Sequence, residues 1–209
     1  MSSLPEPGPT TYPKASRITL AHAPKVDRLL MDLTLMLPES AGATGGGGQS
    51  ALIRRAWLTR RVVAATLAKL SEVIGQSHPA AQRTPDPDEV LQMEHLAAVA
   101  SESGSTGGQA AGANTPESST PHPGPAPEPE AYLITELQIE AQEAHVVMGL
   151  WGEPLTAPGQ GGPVAALKLS RHHAHQILRL LQATSAKAQW GLDHPAQWMQ
   201  PMQVPGQKN

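Results

Sequence analysis

From Leu133 to Ala141 the chain alternates. Leu133, Thr135, Leu137, Ile139 and Ala141 fall on one side of an extended backbone, and Glu136, Gln138 and Glu140 fall on the other. Successive strand side chains point to opposite faces, so the pattern predicts a half-buried strand with a wet acidic face. Val146, Met148 and Leu150, set against Val147 and Trp151, predict a second strand. After the Gly- and Pro-rich run 152–163, which cannot continue a central strand, Ala165, Leu167 and Leu169 predict a third, with Lys168 outward. Ser170 then stands where a helix N-cap belongs, and Ala174, Ile177, Leu178, Leu181, Ser185 and Ala188 recur at helical spacing. Residues 132–190 therefore read as an α+β unit, a small antiparallel sheet of about three strands covered by a C-terminal helix.

The amino-terminal half follows a longer period. Pro24 suits a first helical turn, Val26, Leu29, Leu30, Leu33, Met36 and Leu37 form a stripe, and Pro38 stops it. The alternation of Leu33, Leu35 and Leu37 offers a strand instead, but Val26 with Leu29 and Leu30 fits only the helical period. Over 51–74, Leu52, Ile53, Ala56, Val63, Leu67, Leu70 and Ile74 predict a single long helix whose stripe has few neighbours in its own half. Residues 17–75 are thus expected to be mainly helical, with a short strand over 17–21. Gly45–Gly48 is a flexible hinge rather than a phosphate-cradling loop, because Gln49 and Ser50 follow it with no Lys.

Composition sets limits on these elements. Apolar residues make up 39% of 209, below the ~45–50% of a typical globular domain. Pro numbers 21, Gly 19 and Phe none, which points to a small core and a substantial unpacked fraction. Residues 76–131 read as a disordered, acidic, Pro/Gly-rich linker containing the pattern of a short helix over 87–100, and 1–16 and 191–209 read as flexible tails. Charge is uneven: the first 75 residues carry 9 basic and 5 acidic side chains, the linker 1 and 8, the remainder 5 and 5. With no Cys, disulfides, thiolate nucleophiles and cysteine-held metals are excluded. No integral membrane segment and no secretory leader is indicated, so the cytoplasm is the default expectation.

Candidate chemistry is sparse. On the expected long helix, Arg54, Trp57, Arg60 and Arg61 share a face, with Arg55 beside them. Arginine forks and an aromatic plane suit a nucleic-acid backbone, and a basic, apolar helix an anionic membrane surface, whereas the ordinary reading is a solvated helix shoulder or a protein contact. Trp198 in the tail is positioned either to dock on the folded unit or to meet a partner. His172, His173 and His175 lack a third helical ligand or a neighbouring acid, and read as a wet first turn rather than a metal site. No serine has a hydrolase setting, and Glu136, Glu140 and Glu143 near His145 have little pocket wall to separate their pKa values. The expectation is a non-enzymatic accessory or adaptor protein without metal or cofactor. It would act by protein contacts or self-association through Arg54, Arg55, Trp57, Arg60, Arg61 and Trp198. The alternative is a weak nucleic-acid binder using the same arginines and Trp57.

Overall fold

The computed structural model describes residues 11–36, 52–79, 83–104, 128–142, 145–192 and 196–199. The glycine run and most of the proline-rich stretch lie outside them. Six strands, β1 (Lys14–Ala23), β2 (Arg28–Leu35), β3 (Leu52–Leu58), β4 (Glu130–Gln142), β5 (His145–Pro154) and β6 (Gly162–Ser170), close into one barrel in sequence order. Among the described residues three helices accompany them: α1 (Arg60–Gln76), α2 (Pro87–Gly104) and α3 (Arg171–Lys187). The expected three-stranded antiparallel sheet with one covering helix is therefore corrected to a six-stranded mixed sheet with three helices. Three strands lie within 130–170 where alternation was expected, with the faces of the first partly exchanged, but the amino-terminal half supplies three more.

Two segments expected to be helical are extended. In β2, Leu29, Met31, Leu33 and Leu35 are buried while Arg28, Leu30, Asp32 and Thr34 alternate outward. Val26, the residue that favoured the helical period, is 53% exposed, and Pro24 opens only a short 3-10 turn. Leu and Met are good helix formers, but pairing on both sides decides the matter: Leu29 and Met31 face Leu58 and Ala56 of β3 and His22 and Leu20 of β1. The expected helix 51–74 divides at Thr59, whose hydroxyl accepts from the Val62 N–H at 3.3 Å and so caps α1. Before the cap the chain is β3, with Ala56 and Leu58 inside and Leu52 and Ile53 45% and 42% exposed.

The fold is made of two copies of one β-β-β-α unit. Thr59 and Ser170 both cap 17-residue helices. With the caps superposed, the buried Val63, Leu67 and Leu70 of α1 fall on the buried Ala174, Leu178 and Leu181 of α3. The correspondence continues into the strands, where Leu29, Met31 and Leu33 of β2 match Val146, Met148 and Leu150 of β5. Both first strands bulge at a hydroxyl residue: Ser16 Oγ donates to the Thr34 carbonyl at 3.3 Å, and Thr135 Oγ1 donates to the Trp151 carbonyl at 3.5 Å. A bulge exchanges the faces of everything beyond it. Tyr132 and Ile134 therefore point inward ahead of Thr135, and Leu137 and Ile139 after it. Leu133, expected inside, lies on the outer face.

Each half is antiparallel, and the halves meet along two short parallel seams. Arg54–Trp57 pair with Glu130–Leu133, and Lys14–Ala15 with Ala166–Leu167. Helices α1 and α3 pack on each other, α1 also on β4 and α3 on β1 and β6. The core includes Leu33, Leu58, Leu70, Ile134, Met148, Leu150 and Leu178, each contributing about 2 kcal/mol by leaving water.

At one barrel mouth Arg54 reaches from β3 to the opposite side. Its Nη1 donates to the carbonyls of Val164 (2.6 Å) and Pro163 (3.4 Å), its Nε lies 3.7 Å from the Glu130 carboxylate, and its guanidinium lies 5.2 Å from the Tyr132 ring centre. Burial, and then the Glu130 carboxylate, push the Tyr132 phenol up to about 12. Charge-assisted hydrogen bonds of this kind contribute about 2 kcal/mol, so Arg54→Met is expected to lower stability by roughly that amount in urea unfolding. An unchanged midpoint would show that the mouth does not need this tie.

Candidate interaction surface

The outer face of β1–β2–β3 is built by the pleat. Ala21, Leu30, Trp57 and Leu133 stand side by side across four strands, and Glu153 follows on β5. Leu30, Trp57 and Leu133 are half-buried, which leaves a strip of apolar surface with an indole at its middle. The next row places Thr19, Asp32, Arg55 and Ala131 together, Arg28 borders the strip on its other side, and Arg17 stands one outward position beyond Thr19. Arg55 bonds Asp32 through both ends of its fork, Nε to Oδ1 at 2.9 Å and Nη2 to Oδ2 at 3.3 Å. That hydrogen bond raises the already high Arg55 pKa.

The corresponding face of the second half differs in chemistry. Glu136, Gln138 and Glu140 occupy the places of Arg17, Thr19 and Ala21, and Lys168 occupies that of Trp57. Gly149 lies where β2 has Asp32, and the Tyr12 ring sits on it so closely that an added Cβ would come within 3.3 Å. Trp151 is likewise against the backbone of Gly161.

The structure separates the residues expected to form one helical face. Arg54 points into the barrel mouth, and Arg55 and Trp57 lie on different rows of the outer sheet face. Arg60 and Arg61 lie exposed on the first turn of α1. No common helical face joins Arg54, Trp57 and Arg61, because Thr59 ends the extended segment between them. Trp198, in a short 3-10 turn over Gln197–Met199, is buried, 5% exposed, against His95 and His175. Of its two expected roles it takes the docking one.

The main ionisable cluster was not anticipated. His175 is fully buried, contrary to the wet turn expected for it, although His172 and His173 are exposed. Its Nδ1 lies 3.2 Å from Nδ1 of His95, and its Nε2 lies 3.1 Å from Oε2 of Glu94, close enough for charge to act though not aligned as a hydrogen bond. Glu94 also receives a two-pronged contact from Arg171 at 2.9 and 2.8 Å. Arg171 further donates to Ser77 Oγ at 2.7 Å and to the Ile74 carbonyl at 3.1 Å, joining α2, α3 and the end of α1. A signal was available in the sequence: Glu94 and His95 fall inside the short expected helix, and α2 runs to Gly104 with Leu91 and Ala98 buried.

Burial alone would raise the Glu94 carboxyl, but His175 and Arg171 outweigh it and hold it well below the usual carboxylate range. Burial, aided by His175 and Arg179, lowers His95 to about 4. No group of three or more His, Asp or Glu able to hold a metal occurs among the described residues.

Comparison with known proteins identifies no relative. The chain matches no family model, no curated protein and no solved structure. Among the described residues, no helix is long and apolar enough to cross a membrane.

The cluster makes the docking of α2 sensitive to acid. Both groups have their lower pKa in the folded state, so the unfolded chain takes up protons first. The His95 contribution is whole above its ordinary 6.5 and drains away toward 4, and that of Glu94 is lost below 4.5. The urea midpoint is expected to fall between pH 7 and pH 5, and His95→Leu to flatten that decline. A wild-type midpoint constant over this range would contradict the half-buried, neutral state of His95.

Proposed function

We propose that this is a non-enzymatic accessory protein that binds another protein through the outer face of β1–β2–β3, with Trp57 as the anchor. The row Leu30–Trp57–Leu133, bordered by Arg28 and the Arg55–Asp32 pair, carries this reading. Tryptophan and arginine dominate binding hot spots because they combine a large apolar area with directed polar groups. The charges here are mixed rather than uniformly basic: Asp32 sits within the patch, Glu153 at its end, and Glu128 acts on Arg55. A protein surface with alternating charge complements this pattern better than a polyanion does.

The same geometry weighs against the nucleic-acid alternative and against chemistry. The forks of Arg54 and Arg55 are occupied by carbonyls and by Asp32, which removes two of the cations a phosphate backbone would use. His95, His175 and Glu94 are engaged in holding α2, and a nucleophile with an aligned base does not appear in the groove lined by Arg61, Thr66 and Glu136.

The test begins with capture of a partner by the full chain and proceeds to titration of that partner, purified, against wild type and Trp57→Ala. Loss of an indole anchor is expected to weaken binding about tenfold or more, with Arg28→Glu adding to the loss. Unchanged affinity in Trp57→Ala would refute the assignment of this face. A labelled single-stranded oligonucleotide provides the contrast: saturable binding that weakens steeply with salt would transfer the face to nucleic acid.

A further inference from the structure

Strand β4 is paired on both sides only at its beginning. At Tyr132 and Leu133 it pairs with both β3 and β5, whereas from Glu136 to Gln142 its ladder is with β5 alone among the described residues. Helix α1 runs beside the uncovered edge, and between them lies a groove of about 440 Å³. Val62, Ala65 and Thr66 line it from the helix and Leu137 and Ile139 from the strand, with Arg61 and Lys69 along the helical rim and Glu136 on the strand side.

The internal duplication shows why the groove is open. β1 leaves its parallel partner in the same way after Ala15, and α3 lies beside it. With the helix caps superposed, Ala65 of α1 corresponds to Gln176 of α3, Thr66 to Ile177 and Lys69 to Leu180. One backbone plan therefore carries Gln and Ile where the second helix passes and the shorter Ala65 and Thr66 where the first does, with Lys69 at the rim in place of Leu180.

We propose that this groove takes up an extended peptide, added as a strand to the β4 edge, in which apolar and basic residues alternate. This is a second site, separate from the Trp57 face. An edge strand presents unpaired N–H and C=O groups that template another strand, and flanking pockets select its side chains. Strand residues set beside Leu137 and Ile139 enter under α1, where only apolar or small side chains are compatible. Those set beside Glu136 and Glu140 emerge on the outer face, where Lys or Arg is complementary. Lys69 is held by Glu72 at 3.0 Å, and exposed Arg61 stands at the groove's end. An arginine there can donate to strand carbonyls, as Arg54 does to Pro163 and Val164. A second copy of the chain is a poorer occupant: antiparallel pairing of two β4 edges about Gln138 sets Glu136 beside the copy's Glu140, and like charges directly opposite are destabilising.

The experiment titrates the full chain with a labelled synthetic peptide alternating Lys with Val. A second peptide has proline at alternate positions and so cannot donate to the ladder. Saturable binding of the first peptide is expected, with amide NMR shifts over Thr135–Gln142, and a loss of about tenfold or more for the proline peptide. Ala65→Gln, an exposed substitution that copies the other helix, is expected to cause a similar loss, and E136K with E140K a further one. Absence of saturable binding would overturn the proposal, as would equal affinity for the proline peptide or an unaffected Ala65→Gln protein. Sedimentation showing a dimer that Ala65→Gln dissociates would assign the edge to a second copy and overturn the peptide as occupant. The two-peptide comparison needs no variant, so it decides the matter even where a substitution harms folding. The Trp57→Ala protein should bind the peptide normally, which keeps this site distinguishable from the proposed accessory face.

Discussion

Neither half of this molecule can satisfy its own strand edges. A β-β-β-α unit ends with β3 or β6 paired on one side, and an edge left open in the core leaves polar backbone groups without partners. The parallel seams remove that difficulty by giving each last strand the opening strand of the other half: Arg54–Trp57 with Glu130–Leu133, and Ala166–Leu167 with Lys14–Ala15. Everything else follows from that exchange. The inward residues of both halves share one core, the two helices lie side by side, and Arg54 spans a mouth whose opposite wall belongs to the other half. Parallel neighbours require a long crossover, and α1 and α2 lie within the one from β3 to β4.

The sequence made the second half legible and obscured the first for a physical reason. In β5 and β6 the buried residues Val146, Met148, Leu167 and Leu169 alternate cleanly, and Gly and Pro mark the turn between them. In β2 the outward Leu30 is as apolar as its inward neighbours, so Leu29, Leu30 and Leu33 imitate a helical stripe. The same outward apolar residue belongs to the candidate interaction strip, so the feature that misleads a period count is the one that marks a surface. β3 was hidden by the helix that follows it directly, Thr59 being the single residue between Leu58 and Arg60. Trp57 and the arginines were visible as residue types, but not the faces they occupy. The repeat itself was readable: an apolar residue, a hydroxyl cap and an arginine open both Leu58–Thr59–Arg60 and Leu169–Ser170–Arg171, with a Leu pair following at Leu67 and Leu70 and at Leu178 and Leu181.

A duplicated framework makes differences between its halves informative. Where the cores agree, as at Met31 and Met148 or Leu70 and Leu181, the residues answer to packing. Where equivalent outward positions diverge, packing does not dictate the choice. Arg17, Asp32 and Trp57 on one sheet become Glu136, Gly149 and Lys168 on the other, and Tyr12 covers the second sheet where Gly149 admits it. The sheet face carrying Trp57, which no described residue covers as Tyr12 covers its counterpart, and the small residues Ala65 and Thr66 along the groove are both departures of this kind.

Helix α2 is the largest departure from the two-fold, since no second copy of it appears among the described residues. It lies against the start of α3 and, through Arg171, is joined to the end of α1, with Trp198 packed against the same histidines. Its apolar contribution is small, for Leu91 and Ala98 are buried but Met93 and Leu96 are 61% and 50% exposed. A helix with so narrow an apolar side needs polar anchoring, and Glu94 supplies it by meeting Arg171 with both carboxylate oxygens beside His175. Arginine recurs at the first position of both helices, as Arg60 and Arg171, yet only Arg171 has an acid from α2 to receive it. The exposed Arg60 marks the corresponding end of α1, where no described helix lies, and the two-fold thereby separates the end of the molecule that α2 covers from the end where no described helix matches it.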